Sequence, residues 1–122
     1  MPPTSAESEF VSYIVELMQS IGPVRSKGMF GGYGIFIEEL MFGLVADNTL
    51  YLKADNETVN EFRDKGLEQF TYNKNGKKSK MSYYQAPEEI LEDKEEMNIW
   101  ANKAYNVALR AASMKRSKIK ST

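Results

Sequence analysis

The chain contains no cysteine and no histidine. The first absence excludes a disulfide framework, a thiol nucleophile and a cysteine-ligated zinc. The second removes the commonest metal ligand and the commonest general base of enzymes. No run of 18 apolar residues occurs, so no transmembrane helix is implied. The start, Met1-Pro2-Pro3-Thr4-Ser5, lacks the charged and apolar regions of a secretory signal. These absences predict a soluble cytoplasmic chain with no metal, no cofactor and no membrane contact. Glycine is scarce too, 8 in 122 residues, yet three fall within Met29-Phe30-Gly31-Gly32-Tyr33-Gly34-Ile35-Phe36. Glycine loses more backbone freedom on folding than any other residue. Clustering it here therefore predicts a tight bend or bulge between two strands.

What is present reads as one α+β domain. An apolar content of 42% suffices for a single core at this length. Thr4-x-x-Glu7 is a capping box for a first helix. Phe10, Tyr13, Ile14, Leu17, Met18 and Ile21 give that helix an apolar stripe, and Gly22-Pro23 stops it. Four strands are predicted next, over residues 24–30, 33–38, 41–46 and 49–54, joined by links short enough for antiparallel pairing. In the fourth, Leu50 and Leu52 alternate with Tyr51 and Lys53, the pattern of a half-buried sheet. A short helix capped by Asp55 or Asn56 ends near Gly66, with Val59 and Phe62 inward. Residues 69–72 and 80–85 then form a hairpin around Asn75-Gly76. Asp93-x-x-Glu96 opens a long final helix with Met97, Trp100, Ala101, Ala104, Val107, Ala108 and Ala111 facing inward. The expected architecture is a two-layer α-β-β-β-β-α-β-β-α domain over residues 1–113, its antiparallel sheet covered by helices, with a flexible basic tail over 114–122.

The charge is unevenly placed. Residues 1–100 hold 10 Lys/Arg against 17 Asp/Glu, whereas residues 101–122 hold six Lys/Arg and no acid. A basic end on an acidic body suits solubility, a nucleic acid or an acidic partner. Nucleotide motifs fail: Gly32-x-Gly34 lacks the third glycine of a dinucleotide fingerprint, since Ile37 stands there, and Gly76-Lys77-Lys78-Ser79 lacks both ends of a phosphate loop. The acids Glu88, Glu89, Glu92, Asp93, Glu95 and Glu96 sit around a helix start, where negative charge is favoured. One basic and aromatic constellation remains. Lys74, Lys77, Lys78 and Lys80 lie in a hairpin free of acids from Thr71 to Gln85, flanked by Tyr72, Tyr83 and Tyr84, with Arg25, Lys27 and Lys53 from the first sheet. Such groups hold phosphates and stack bases, and they equally protect a sheet edge.

The run from Met29 to Ile35, then Met41-Phe42-Gly43-Leu44-Val45-Ala46-Asp47, then Leu50-Tyr51-Leu52-Lys53, resembles the N-terminal domain of the TfoX/Sxy family. Phe70-Thr71-Tyr72, Met81-Ser82-Tyr83-Tyr84 and Pro87-Glu88 follow in the family's order, so the resemblance covers roughly residues 8–112. It implies a fold like that of small secretion chaperones and a link to regulation of natural competence genes. It also implies action alongside the cyclic-AMP receptor protein, and a second, C-terminal helical domain. This chain ends at Thr122 without that domain, as a stand-alone protein or a piece of a longer regulator. The resemblance brings no catalytic residues, in keeping with the absence of a catalytic set in the sequence.

The leading expectation is a non-enzymatic regulatory domain that contacts a protein of the transcription machinery or a regulator through Arg25, Lys27, Phe30, Gly31, Gly32, Tyr33 and Lys53. The alternative is direct nucleic-acid binding through Lys74, Lys77, Lys78, Lys80 and the tail residues Lys115, Arg116, Lys118 and Lys120. A homodimer is compatible with either.

Overall fold

A computed structural model describes the backbone of residues 5–29 and 31–120, with the side chains of 6–29 and 31–115. Thr4 and Phe30 lie outside the described residues, as do the side chains of Arg116, Lys118 and Lys120. Helix α1 (Ser5–Leu17) leads through a 3₁₀ turn, Gln19–Ile21, into a meander of four strands: β1 (Val24–Met29), β2 (Gly32–Ile37), β3 (Leu40–Ala46) and β4 (Thr49–Lys53). The short helix α2 (Val59–Arg63) precedes the hairpin of β5 (Gln69–Lys74) and β6 (Lys77–Gln85). A second 3₁₀ turn, Glu88–Glu92, precedes α3 (Lys94–Lys120). The six strands form one antiparallel sheet in the order β1-β2-β3-β4-β6-β5. The predicted α+β architecture is thus present. The hairpin strands run longer than predicted, because Asn75-Gly76 alone forms the turn, with φ of 54° and 79°. Asp47-Asn48, at 55° and 57°, turns β3 into β4 in the same way. Positive φ at both central residues matches the right-handed twist of the flanking strands.

Strand alternation divides the side chains between two faces. Ser26, Ile35, Gly43, Leu52 and Tyr84 form one row across the strands, and the next row is Lys27, Gly34, Leu44, Tyr51 and Gln85. The first row looks inward. There Ile35, Val45, Leu50 and Leu52 meet Val11 and Ile14 of α1, Met18 just beyond it, and Met97, Ala101, Ala104 and Ala108 of α3 in one core. Small alanines at every third or fourth position let α3 lie close on the sheet. At the β2–β3 register shift β3 carries one extra residue, Phe42. Phe42 is fully buried and meets the Tyr105 ring edge-on at 5.8 Å. A bulge is what permits a neighbour of Gly43 to look inward as well.

Two details of the helices differ from expectation. Tyr13 is 46% exposed and donates its hydroxyl to the Leu91 carbonyl, while Val11 takes the buried place. Trp100 is half-buried against Phe62 and Ala111 is exposed, so the inner stripe of α3 is narrower than predicted. Of the capping signals Asp93 acts on α3, whereas α2 begins after Thr58 with no side-chain cap, so Asp55 holds the turn before the helix rather than its end. The Asp93 carboxylate accepts the Glu96 N–H at 3.1 Å, and the Asp55 carboxylate accepts the Glu57 N–H at 3.0 Å ahead of α2. The α3 backbone stays helical to Lys120, across the segment expected to be a loose tail.

Arg110 ties α3 to this corner, donating to both Asp55 oxygens at 2.9 and 3.2 Å. The hydrogen bond from Arg110 holds the Asp55 carboxyl below its ordinary value. A lowered acid pKa means stability that is present above the unfolded value, 3.8, and is lost as pH falls through the folded one. Asp55→Ala removes the Arg110 pair and the turn cap together and is predicted to destabilise by about 1–2 kcal/mol at pH 7. Urea denaturation should show that difference shrinking below pH 4. Among the glycines, a Cβ on Gly32 would stand 2.2 Å from the Val45 carbonyl oxygen, whereas one on Gly28 meets nothing nearer than 4.0 Å. Gly32→Ala should therefore cost at least about 2–3 kcal/mol and Gly28→Ala less than about 0.5 in the same assay.

Candidate functional site

Among the described residues the helices pack on the inner rows, and the outward rows of the sheet build a second surface. Its floor is apolar. A Cβ on Gly34 would run into the Met29 sulfur at 2.6 Å, the Phe36 ring at 2.7 Å and the Met41 sulfur at 2.9 Å, so these three side chains close over the glycine. Beside them Leu44 is 5% and Tyr83 3% exposed. The Tyr83 hydroxyl donates to the Met41 carbonyl at 3.2 Å. Burial pushes that phenol far above its ordinary pKa, so it remains a donor at physiological pH. Further along, the Tyr51 ring meets Phe70 edge-on at 5.0 Å, and Phe70 stacks on Tyr72 at 6.2 Å. Sulfurs and rings form an adaptable, large-area surface.

The charge on this face has one sign. None of the six strands contains an aspartate or glutamate, while together they hold Arg25, Lys27, Lys53, Lys74, Lys77, Lys78 and Lys80. The Arg25 guanidinium stands 5.2 Å from the Phe36 ring centre and donates to the Glu38 carbonyl at 2.8 Å. The Lys53 ammonium stands 5.0 Å over the Tyr83 ring. Desolvation lowers the Lys53 pKa, and the Asp55 charge offsets only part of that. After burial itself, Glu68 and then Asp47 raise the Tyr51 pKa.

The structure sorts the candidate residues anew. Arg25, Lys27 and Lys53, assigned to protein contact, share the outward face with Lys74 and Lys77, assigned to nucleic acid. Tyr33 pairs with Val45 and packs half-buried on the core side. Gly32 is covered by the Val45 backbone, and Gly31 lies exposed in the turn at φ +74°. Lys78 and Lys80 are exposed on the opposite face of the hairpin. Lys115 is exposed near the end of α3, apart from the sheet. Sequence reasoning missed Met29, Phe36, Met41, Leu44 and Phe70. The signal that marks them is acid-free strands whose lysines alternate with core residues. Among the described residues no three acids gather as a metal-holding group, and no helix is long and apolar enough to cross a membrane.

Fold and surface define a class: a small α+β domain with one helix-covered sheet face and one bare, basic-aromatic face. The profile of the TfoX N-terminal domain matches residues 16–108, and the chain belongs to that family. It is 32% identical over 82 residues to the DNA transformation protein TfoX1 of Aliivibrio fischeri, covering 67% of this chain and 37% of the relative. It is 33% identical over 88 residues to the DNA transformation protein TfoX of Haemophilus influenzae, covering 70% and 41%. Against Protein Sxy of Escherichia coli it is 21% identical over 103 residues, covering 84% and 49%. The chain thus spans less than half the length of each of these relatives.

Burial of the Lys53 ammonium costs its charged form, and the Tyr83 ring and Asp55 offset part of that cost. Lys53→Met keeps the packed stem and removes the charge. We expect thermal and urea unfolding to show this variant equal to the parent or more stable by up to about 1 kcal/mol. A loss above about 1 kcal/mol would mean that Lys53 is retained for the fold.

Proposed function

We propose that this domain is a non-enzymatic regulator linked to competence and transcription, and that it works by protein contact through the bare face of its sheet. The single observation that carries the reading is that face: Met29, Phe36, Met41, Leu44 and Tyr51 between cations, with no acid in any strand. Aromatic residues, methionine and arginine are the types enriched at the centres of protein interfaces. Membership of a family whose relatives are named DNA transformation proteins supports the regulatory role. The second reading, direct nucleic-acid binding, is favoured by the exposed lysines of the hairpin around Tyr72, itself 36% exposed. It is weakened by the acids, all of which lie on the helices and links that make up the rest of the surface.

Two experiments separate these readings. A photo-crosslinking amino acid at Tyr72 should capture one discrete protein band in living cells, abolished by Lys27→Glu. The same probe at Ile99, 50% exposed on α3, should capture no such band. Titration with duplex and single-stranded DNA across a salt series should show no saturable binding at about 50 mM salt. Binding there that weakens steeply as salt rises would favour the nucleic-acid reading, through counterion release.

A further inference from the structure

From the arrangement of charge on the bare face, and building on the protein-contact reading, we infer that its occupant is an amphipathic helix of a partner, with an apolar stripe flanked by acidic residues. The cations stand on two sides of an apolar floor. Arg25 and Lys27 lie on β1 and Lys53 on β4, while β2 and β3 between them carry the half-buried Phe36 and Met41 beside the buried Gly34 and Leu44. Three interstrand spacings, about 14 Å, separate β1 from β4. A helix with its side chains is about 10–12 Å across. One helix therefore fits over β2 and β3 with Arg25 and Lys27 on one flank and Lys53 on the other. Over Gly34 the side chains of Met29, Phe36 and Met41 close together, so the helix would meet an apolar floor of two sulfurs and a ring. The opposite face of the same sheet already binds helices in this manner, since α1 and α3 bury their apolar stripes on its inner rows.

Charge selects this occupant over others. A second copy docking face to face would bring Arg25, Lys27, Lys53, Lys74 and Lys77 against the same five cations, and like charges repel across an interface. A nucleic acid would find its phosphates matched by the lysines. Its bases could stack on the Tyr72 ring at the sheet edge, but around Gly34 they would meet the thioethers of Met29 and Met41 and a Phe36 ring over which Arg25 already stands. A carboxylate laid against Lys53 would restore to its ammonium the stabilisation that desolvation removes.

The test uses the full chain and three fluorescent probes followed by anisotropy. One is a designed 20-residue helix with a leucine stripe flanked by glutamates. The second has the same stripe flanked by lysines, and the third is a 15-nucleotide oligothymidylate. The glutamate peptide should bind saturably and shift the backbone amide signals of β2 and β3 in NMR spectra while leaving those of α3 in place. Lys27→Glu, at an exposed position, should weaken it about tenfold with the circular dichroism unchanged. Equal binding of the two peptides, tighter binding of the oligothymidylate, or no binding of the glutamate peptide would overturn the inference. If the Tyr72 probe still captures its protein band when the glutamate peptide fails, the contact face stands and only the helical acidic occupant is lost.

Discussion

The alternation of side chains along six antiparallel strands is the constraint on which this molecule depends. One parity supplies Ile35, Leu50 and Leu52 to the core and the other supplies Lys27, Lys53 and Tyr51 to solvent. A slip of one residue in any strand would exchange the two sets. The tight turns at Asp47-Asn48 and Asn75-Gly76 fix that register locally, and the bulge at Phe42 corrects it where the sheet must place one more ring inward. α1 and α3 then close the inner face, and among the described residues no helix covers the outer one.

The consequence is electrostatic as well as steric. Acids are confined to helices, turns and links, where they cap Glu57 and Glu96 amides or pair with Arg110 and Lys103. Cations gather on the strands. A net charge of −1 therefore conceals a domain with a basic sheet and acidic surroundings. Lys53 shows the tension this creates: its ammonium is half-desolvated above Tyr83, a position that is unfavourable for the charge in isolation. A partner's carboxylate would relieve it.

Most of the fold was legible in the sequence because its signals were local. Asn75-Gly76 announced its hairpin, Asp93 its helix, and Leu50 and Leu52 the period of their strand. The glycine run was legible as a bend, but its three glycines proved to serve three ends. Gly31 supplies the positive φ, Gly32 admits the Val45 backbone, and Gly34 leaves room for two methionines and a phenylalanine. Val45 and the two methionines come from β1 and β3, and spacing along one strand does not announce them. The candidate site was half legible for the same reason. Lys27, Lys53 and Lys77 are visible as charges, but which face each one occupies depends on pairing. Tyr33 looked like a contact residue among glycines and aromatics, yet the β2–β3 register turns it toward the core.

The central claim, that the bare face is the working face, is tested most directly by paired charge reversals read on expression of a DNA-uptake gene reporter. One variant carries Lys27→Glu with Lys53→Glu on the outward face, and the other Lys78→Glu with Lys80→Glu on the opposite face of the sheet. Both change the net charge equally, so long-range effects cancel in the comparison. The account predicts that the first pair abolishes induction in a protein that still folds, and that the second leaves induction near the parent level. Equal loss from both pairs, or loss from the second alone, would contradict it.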